Sequence, residues 1–467
     1  IKALRVVWLK LDPATWEDTQ GARSSERKRM WPERATKCPV STKSTSGRRV
    51  PVDLPTNMTE SEDLTQYGQD PAQPYVYPRP LTENLPVTGA WQEGDPEGNR
   101  QFAKVHPDRS FALEGGGVLK EVTMAYETWG QLSPAADNAI LVCHALTGDS
   151  HAFGEHGEAH PTPGWWNGVI GEGSGLDPKE HFIVCINVLG GCQGSTGPAS
   201  INPASKKPYG STFPVITTRD MVRAQAAVAD HLGIEQWRLV VGGSMGGMQV
   251  LEWGIMYPDR VKALAPLATA LAASPWQIGW SAVGRNALVL DPLFRGGDYY
   301  DAEVGNGPHL GLATARSIAQ IHYRSPNSFA ERFGREVVDP RSIYGLWDQY
   351  QVESYLDYQG EKLVRRFDAN SYLVLNRAMD LHDVARDRGS VNEAVSRLAR
   401  VPVLTLSITS DYLYPPNLQV EIFEAVKAIG GECTHQIVEN GNGHDGFLLA
   451  TEDVSNHIAK FLEDTSV

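Results

Sequence analysis

One stretch constrains this chain more than any other: Val240-Val241-Gly242-Gly243-Ser244-Met245-Gly246-Gly247. An apolar run from Arg238 to Gly242 leads into it, and a helix-forming run from Met248 to Trp253 leads out. G-x-S-x-G between a strand and a helix describes a sharp turn with a serine at its apex. The turn holds the serine in a strained backbone conformation, and only neighbours the size of glycine leave room for it. Its hydroxyl then stands at the end of a sheet. The next backbone N–H, from Met245, points at the same place from a helix N-terminus. A Gly-rich turn with an incidental serine is the plainer alternative, but it does not call for the flanking strand and helix.

An activated serine needs a base to take its proton and a carboxylate to orient that base. Two downstream positions fit. Asp411 follows the apolar run Val403–Ile408, where a carboxylate just past a parallel strand belongs, and His444 sits in the Gly-rich loop Asn440–Gly446 after the run Thr434–Val438. Asp411 taken alone could cap a turn, and His444 alone could be a surface residue of a chain with 13 His. The order Ser, Asp, His along strands that alternate with helices resembles the α/β-hydrolase arrangement. A second oxyanion donor is then expected after an earlier strand. Cys143-His144-Ala145-Leu146 lies there, with the Leu146 N–H as the partner of the Met245 N–H. His144, His151, His156 and His160 have no regularly spaced acidic or Cys companion, so no metal site is expected.

The rest of the chain fits that frame. Phe111–Glu114 and Val118–Trp129 read as two strands around Gly115-Gly116-Gly117. Asn138–Cys143, Phe182–Val188 and Val261–Leu267 read as buried strands, and Thr217–Leu232 as a helix ending at Gly233. Strands alternating with helices predict a mostly parallel sheet covered on both faces. From about Ser274 to Leu398 the rhythm breaks into helical stretches at 281–290, 311–323, 352–366 and 371–381. This is a helical lid inserted over the strand ends. Val401–Ile408 resumes the sheet, Asn417–Ile429 is a helix, and 447–462 is a closing helix. The expected division is a basic, disordered extension over 1–57, a Pro-rich arm over 58–105, core over 106–273, lid over 274–400 and core over 401–467.

Charge excludes some partners. The net charge is -14, but residues 1–57 carry an excess of basic groups while the remainder is strongly acidic. That balance argues against a nucleic-acid or anionic-membrane binder. No apolar run approaches the roughly eighteen residues of a membrane span. Lys2, Arg5, Lys10 and Asp12 interrupt any signal-like apolar stretch near the start. Met58 reads as a natural start, with 1–57 as an upstream extension. Cys38, Cys143, Cys185, Cys192 and Cys433 are odd in number and contain no C-x-x-C pair, so neither a disulfide framework nor a structural zinc site is expected. A cytoplasmic setting fits these features.

Several longer stretches are distinctive: His144–His151, Pro163–Trp166, Asn187–Pro198, Gly242–Trp253, Tyr355–Gly360, Arg366–Tyr372, Ile408–Asp411 and Gly443–Phe447. Together they resemble homoserine O-acetyltransferases, from about Phe111 to Phe461, while residues 1–95 show no matching motif. The resemblance implies an α/β-hydrolase core, a helical lid and a homodimer built through the lid. It implies acetyl transfer from acetyl-CoA to the hydroxyl of L-homoserine in methionine biosynthesis, with no resident cofactor. It assigns the acceptor's carboxylate to Arg316 and its ammonium to Asp445, with Tyr323 lining the pocket. An Arg fork suits a carboxylate; without the resemblance, Arg316 reads as a solvated helix charge and Asp445 as a cap. His322 departs from the family pattern, where Thr is expected. Homoserine O-succinyltransferase, a serine O-acyltransferase and a plain esterase are the rival activities on the same scaffold. A binding protein with no activity does not need all three of Ser244, Asp411 and His444.

Overall fold

A computed structural model describes residues 84–465 apart from 107–109, 342–343 and 346. The expected basic extension, Met58 and Cys38 lie outside the described residues. The arm enters along the junction of core and lid. Leu85 is buried, Gly89 N–H donates to Phe367 O at 3.2 Å, and Trp91 N–H donates to Cys192 O at 2.9 Å.

The first strands are β1 (Gln101–Lys104), β2 (Phe111–Ala112), β3 (Val118–Leu119), β4 (Thr123–Trp129), β5 (Ala139–Cys143) and β6 (Phe182–Ile186). Then come α1 (Thr218–His231), β7 (Leu239–Gly243), α2 (Met245–Met256) and β8 (Leu264–Leu267). The lid holds α3 (Pro275–Val289), α4 (His309–Tyr323), α5 (Pro326–Phe333), α6 (Gln351–Val364), α7 (Ala369–Asp380) and α8 (Val391–Val395). The chain closes with β9 (Val403–Ile408), α9 (Pro416–Ala428), β10 (Cys433–Val438), α10 (Gly446–Leu449) and α11 (Thr451–Asp464).

Eight strands form one sheet in the order β1-β4-β6-β5-β7-β8-β9-β10. The β1–β4 and β4–β6 pairs are antiparallel, and the other pairs are parallel. The continuous apolar runs follow from two-sided burial. In β5, Leu141 and Cys143 join one core with residues of α1 and α2, while Ile140 and Val142 join the other with residues of α11 and Trp166. The chain winds outward from β5 in both directions, to β6 on one side and β7 on the other. The crevice at that switch point is where ligands bind in such sheets.

Three expectations need correction. Val118–Trp129 is not one strand: Glu121, at φ 53°, breaks it into β3 and β4, and β3 pairs with β2 as a separate hairpin. The expected arm over 58–105 ends as the sheet edge β1. The closing helix breaks at Ala450 into α10 and α11. Helix α3 starts earlier than its apolar spacing suggested because capping extends it. The Ser274 hydroxyl accepts from the Gln277 N–H, and Pro275 sits in the first turn of α3. Asp368 knits lid and arm together. It accepts from the hydroxyls of Tyr299 at 2.6 Å, Tyr300 at 3.0 Å and Thr88 at 2.8 Å, and caps α7 through the Ser371 N–H.

Candidate active site

Ser244 occupies φ 59°, ψ −124° between β7 and α2. A conformation of this kind costs about 1–3 kcal/mol, and the surroundings enforce it. A Cβ on Gly242 or Gly246 would collide with the Cys143 carbonyl, and one on Gly243 with the Phe447 ring. Ser244 N–H donates to Leu267 O at 3.0 Å, and its carbonyl accepts from the Thr269 hydroxyl at 2.9 Å. The backbone is held at both ends, so the side chain is left to the site.

Asp411 and His444 meet beside it. Asp411 Oδ2 lies 2.7 Å from His444 Nδ1, and both residues are buried. Asp411 Oδ1 accepts from the N–H groups of Leu413 at 2.9 Å and Tyr414 at 2.8 Å. A carboxylate held by backbone donors only accepts, so the His444 proton is assigned to Nδ1 and the lone pair to Nε2. That Nε2 is buried without a hydrogen-bond partner among the described residues. The link from serine to base is therefore open, as is common before substrate binds. Gly443, at φ +70°, lets the loop press against the backbone of Arg324 and Ser325, where a Cβ would not fit.

Tyr414 adjoins all three residues, which the sequence reading did not foresee. Its N–H binds Asp411, its ring stacks on His444 with centroids 4.9 Å apart, and its side chain lines the same cavity as Ser244. Burial raises its phenol well above the ordinary value, with the Tyr323 and Asp411 charges adding to the effect. The only advance signal was its place three residues after Asp411.

The loop after β5 brings Leu146 to the same cavity as Ser244. His144 braces this loop. Val188 N–H donates to His144 Nε2 at 3.0 Å, so the ring proton is on Nδ1, which binds Ala145 O at 2.8 Å. With both nitrogens used, and burial pushing its pKa down, His144 has no lone pair for a metal. Gln249 Nε2 ties the two candidate oxyanion segments together by donating to His144 O and Met245 O.

The residues expected at the acceptor end divide. Tyr323 lines the Ser244 cavity together with His322, Trp280 and Tyr372, whereas Arg316 and Asp445 are not part of that lining. The Arg316 guanidinium lies 5.7 Å from the Tyr323 ring centroid and has no ion pair among the described residues. Asp445 is paired with Arg324 at 3.2 Å. Burial raises the Asp445 carboxyl above its ordinary value, and Arg324 and then Arg316 oppose that shift. Arg324, absent from the sequence reading, is the neighbour that already neutralises this anion.

A sequence profile of the alpha/beta hydrolase fold matches residues 138–451. Two similar solved structures have different activities in their names. Esterase E22 has a TM-score of 0.71 at 27% identity, covering 78% of this chain and 99% of its own. A homoserine O-acetyltransferase from Bacillus anthracis has a TM-score of 0.71 at 26% identity, covering 78% and 97%. Fold alone does not separate the two activities. Sequence does: homoserine O-acetyltransferase of Thermobifida fusca is 48% identical over 82% of this chain and 98% of its own length. That of Moorella thermoacetica is 49% identical over 75% and 93%. The chain belongs to the homoserine O-acetyltransferase family.

As a member of that family the chain is an acyltransferase enzyme. The Thermobifida match takes in 82% of the chain, so it reaches into residues 1–95, where the motifs showed no counterpart. The fold gives the histidine cluster a neighbour that spacing does not show. His151 and His160 do have an acidic companion, Glu127, which arrives from β4 rather than from nearby sequence. His151 uses both nitrogens, with Nδ1 2.9 Å from Glu127 Oε2 and Nε2 3.1 Å from Glu155 O. The His151 and His160 rings stack 3.8 Å apart at 9°. The arrangement is a buried ion pair with a stacked neighbour, and in this acyltransferase it stands apart from the Ser244 cavity. Among the described residues no helix is long and apolar enough to cross a membrane.

Proposed function

We propose that this enzyme moves an acetyl group from acetyl-CoA to the hydroxyl of L-homoserine through an acetyl ester on Ser244. The observation that carries the proposal is the His444 imidazole, held by Asp411 at 2.7 Å with a buried, unpartnered Nε2, behind a strained serine. His444 Nε2 takes the Ser244 proton as Oγ attacks the thioester carbonyl. The N–H groups of Leu146 and Met245 bind the oxyanion, each worth roughly 3 kcal/mol in the transition state. The tetrahedral intermediate collapses, and CoA leaves as the thiol with the proton from His444. Homoserine then enters, His444 takes its hydroxyl proton, and the alkoxide oxygen attacks the acetyl-enzyme. Breakage of the Ser244 ester releases O-acetyl-L-homoserine and returns the proton to Ser244. Two half-reactions on one nucleophile give ping-pong kinetics.

Arg316 supports an amino-acid acceptor, because it is a partly buried cation with no anion of its own among the described residues. Its planar fork suits an α-carboxylate. Asp445 and Tyr323 serve the same end of the substrate, Asp445 as part of a pair with Arg324. No resident cofactor enters the scheme. A homodimer through the lid is supported by apolar side chains exposed on α3 and α4: Trp276, Val283, Val289, Leu310 and Ile321. Sedimentation at micromolar concentration tests it; a monomer contradicts it.

The fold's likeness to esterase E22 favours one rival, acyl transfer to water. Incubation with acetyl-CoA or succinyl-CoA, with and without homoserine or serine, separates the readings by free thiol release. Beyond a single burst of thiol with acetyl-CoA alone, continued thiol release should require acetyl-CoA and homoserine together, and both should vanish in Ser244→Ala. Turnover indifferent to the acceptor indicates an esterase, and release retained by Ser244→Ala contradicts the covalent mechanism.

A further inference from the structure

The turn that carries Leu146 is held from two sides, and only one of them belongs to the core. Gly148 N–H donates to Ala145 O at 2.9 Å and closes the turn. On the core side, His144 binds Val188 N–H and Ala145 O, and Gln249 of α2 donates to His144 O. The other end of the turn meets the lid. The Arg366 guanidinium, from the junction of α6 and α7, donates to Thr147 O and, at 3.4 Å, to Asp149 Oδ2. Leu146 thus lies between a core brace and a lid brace.

Arg366 is itself placed with little freedom. Its carbonyl accepts from Gln193 Nε2 at 2.7 Å, and the same amide donates to Gly89 O at 3.0 Å. Gly89 N–H donates to Phe367 O at 3.2 Å, and a Cβ on Gly89 would collide with Arg366 N. The arm, the Asn187–Pro198 stretch and the lid therefore converge on the backbone of one arginine. Its side chain is mostly buried. A guanidinium is planar and always charged, so two of its N–H groups can fix a carbonyl and a carboxylate relative to each other. Burial works to raise the Asp149 carboxyl, but Arg366 first, then the His151 N–H and Arg100, outweigh it and hold the group below its ordinary value. The pair is thus charged on both sides near pH 7.

An oxyanion donor works by direction. Its N–H must point to where charge develops, and a misplacement of about 1 Å can cost about a hundredfold. The Leu146 N–H is two peptide units from the Thr147 carbonyl, inside the same closed turn. Arg366 is not among the residues lining the Ser244 cavity, so its effect reaches the chemistry through that turn. We propose that Arg366 is a positioning residue that ties the Leu146 turn to the lid and so aims the oxyanion donor. This rests on the acyl-Ser244 reading above and adds a lid residue to it. Both half-reactions pass through an oxyanion, so both depend on Arg366.

The test separates rate from binding and from folding. With acetyl-CoA alone, the burst of thiol measured over a range of acetyl-CoA concentrations gives a rate constant, an affinity and an amplitude. Arg366→Met, which keeps the stem and loses the fork, should slow acylation by about ten- to a hundredfold. Its affinity for acetyl-CoA should stay within about threefold, and its amplitude should be undiminished. Decay of the acetyl-enzyme on adding saturating homoserine should slow by a similar factor. Arg366→Lys keeps the charge and should recover part of both rates; it carries the comparison, with a loss of less than about tenfold, if the Met variant does not fold. Guanidinium ion added to Arg366→Ala should restore part of the acylation rate. An unchanged rate constant in these variants overturns the proposal. A smaller amplitude at an unchanged rate constant also overturns it, because a purely structural role lowers only the active fraction. A weaker affinity at an unchanged rate constant overturns it too, and makes Arg366 a group that binds CoA. No burst from the unsubstituted enzyme contradicts the acyl-Ser244 reading instead.

Discussion

The strand ends and the lid wall face the same cavity and are built in opposite ways. At the ends of β5, β7, β9 and β10, the polar groups are tied to the backbone. Asp411 takes two N–H groups, Ser244 is held at both its N–H and its carbonyl, and His144 uses both nitrogens. His444 Nε2, the atom proposed to move a proton, is the exception, with no partner among the described residues. Across the cavity, Trp280 Nε1 and His322 Nδ1 have no hydrogen-bond partner among the described residues. Parts that make and break bonds need fixed geometry in every turnover. Parts that recognise substrate keep their bonding capacity for it.

Substitutions on the two sides should therefore differ in kind. The largest effect is expected from Asp411→Asn, which keeps the shape but removes the charge that orients His444. Both half-reactions should slow by about 10³–10⁴-fold, read as burst rate and steady-state kcat. A loss confined to the acceptor step would erase the contrast. Arg316→Ala should raise KM for homoserine by about ten- to a hundredfold, as expected when a charged hydrogen bond to a carboxylate is lost. Its burst with acetyl-CoA should be unchanged. A matching fall in burst rate would place Arg316 with the strand-end machinery.

The lid wall should also respond to acid. The His322 pKa falls from its ordinary value to about 3 on folding. Below pH about 6.5 the unfolded chain binds a proton there that the folded chain refuses. Stability from this residue is thus full above that pH and declines as pH falls toward 3. His322→Thr removes the term, so its Tm should drop less between pH 7 and pH 5 than that of the unsubstituted enzyme. Equal drops contradict the burial of a neutral imidazole. The smallest effect is expected from Tyr414→Phe, which keeps the stack on His444 and removes the phenol hydroxyl. The burst rate should change by less than about tenfold, in keeping with the loss of one neutral hydroxyl. A loss as large as that of Asp411→Asn would make the phenol part of the proton path.

The strand ends were also the legible side. Gly242–Gly246 and Asp411 each follow an apolar run, and fully buried parallel strands announce themselves as such runs; His444 follows the half-exposed edge strand β10 and was legible from its Gly-rich loop and its place after Asp411. The edge strand β1, Gln101-Phe-Ala-Lys104, has no such pattern, because it pairs on one side only and is half exposed. Glu127 meets His151 and His160 across the sheet, and Arg324 reaches Asp445 from the lid. Neither pairing leaves a trace in local spacing. Tyr414 and Trp280 read as ordinary apolar residues until the fold places them around Ser244. His322 stood out as a departure from the family pattern, but only the cavity shows which way it faces.

The central claim is that the acyl group rests on Ser244 between two half-reactions. Mass spectrometry of the peptide carrying Ser244, after mixing with acetyl-CoA in the absence of acceptor, tests it directly. One acetyl group should be found on Ser244, and it should disappear within a turnover when homoserine is added. An unmodified Ser244, with thiol released only when both substrates are present, would contradict the account.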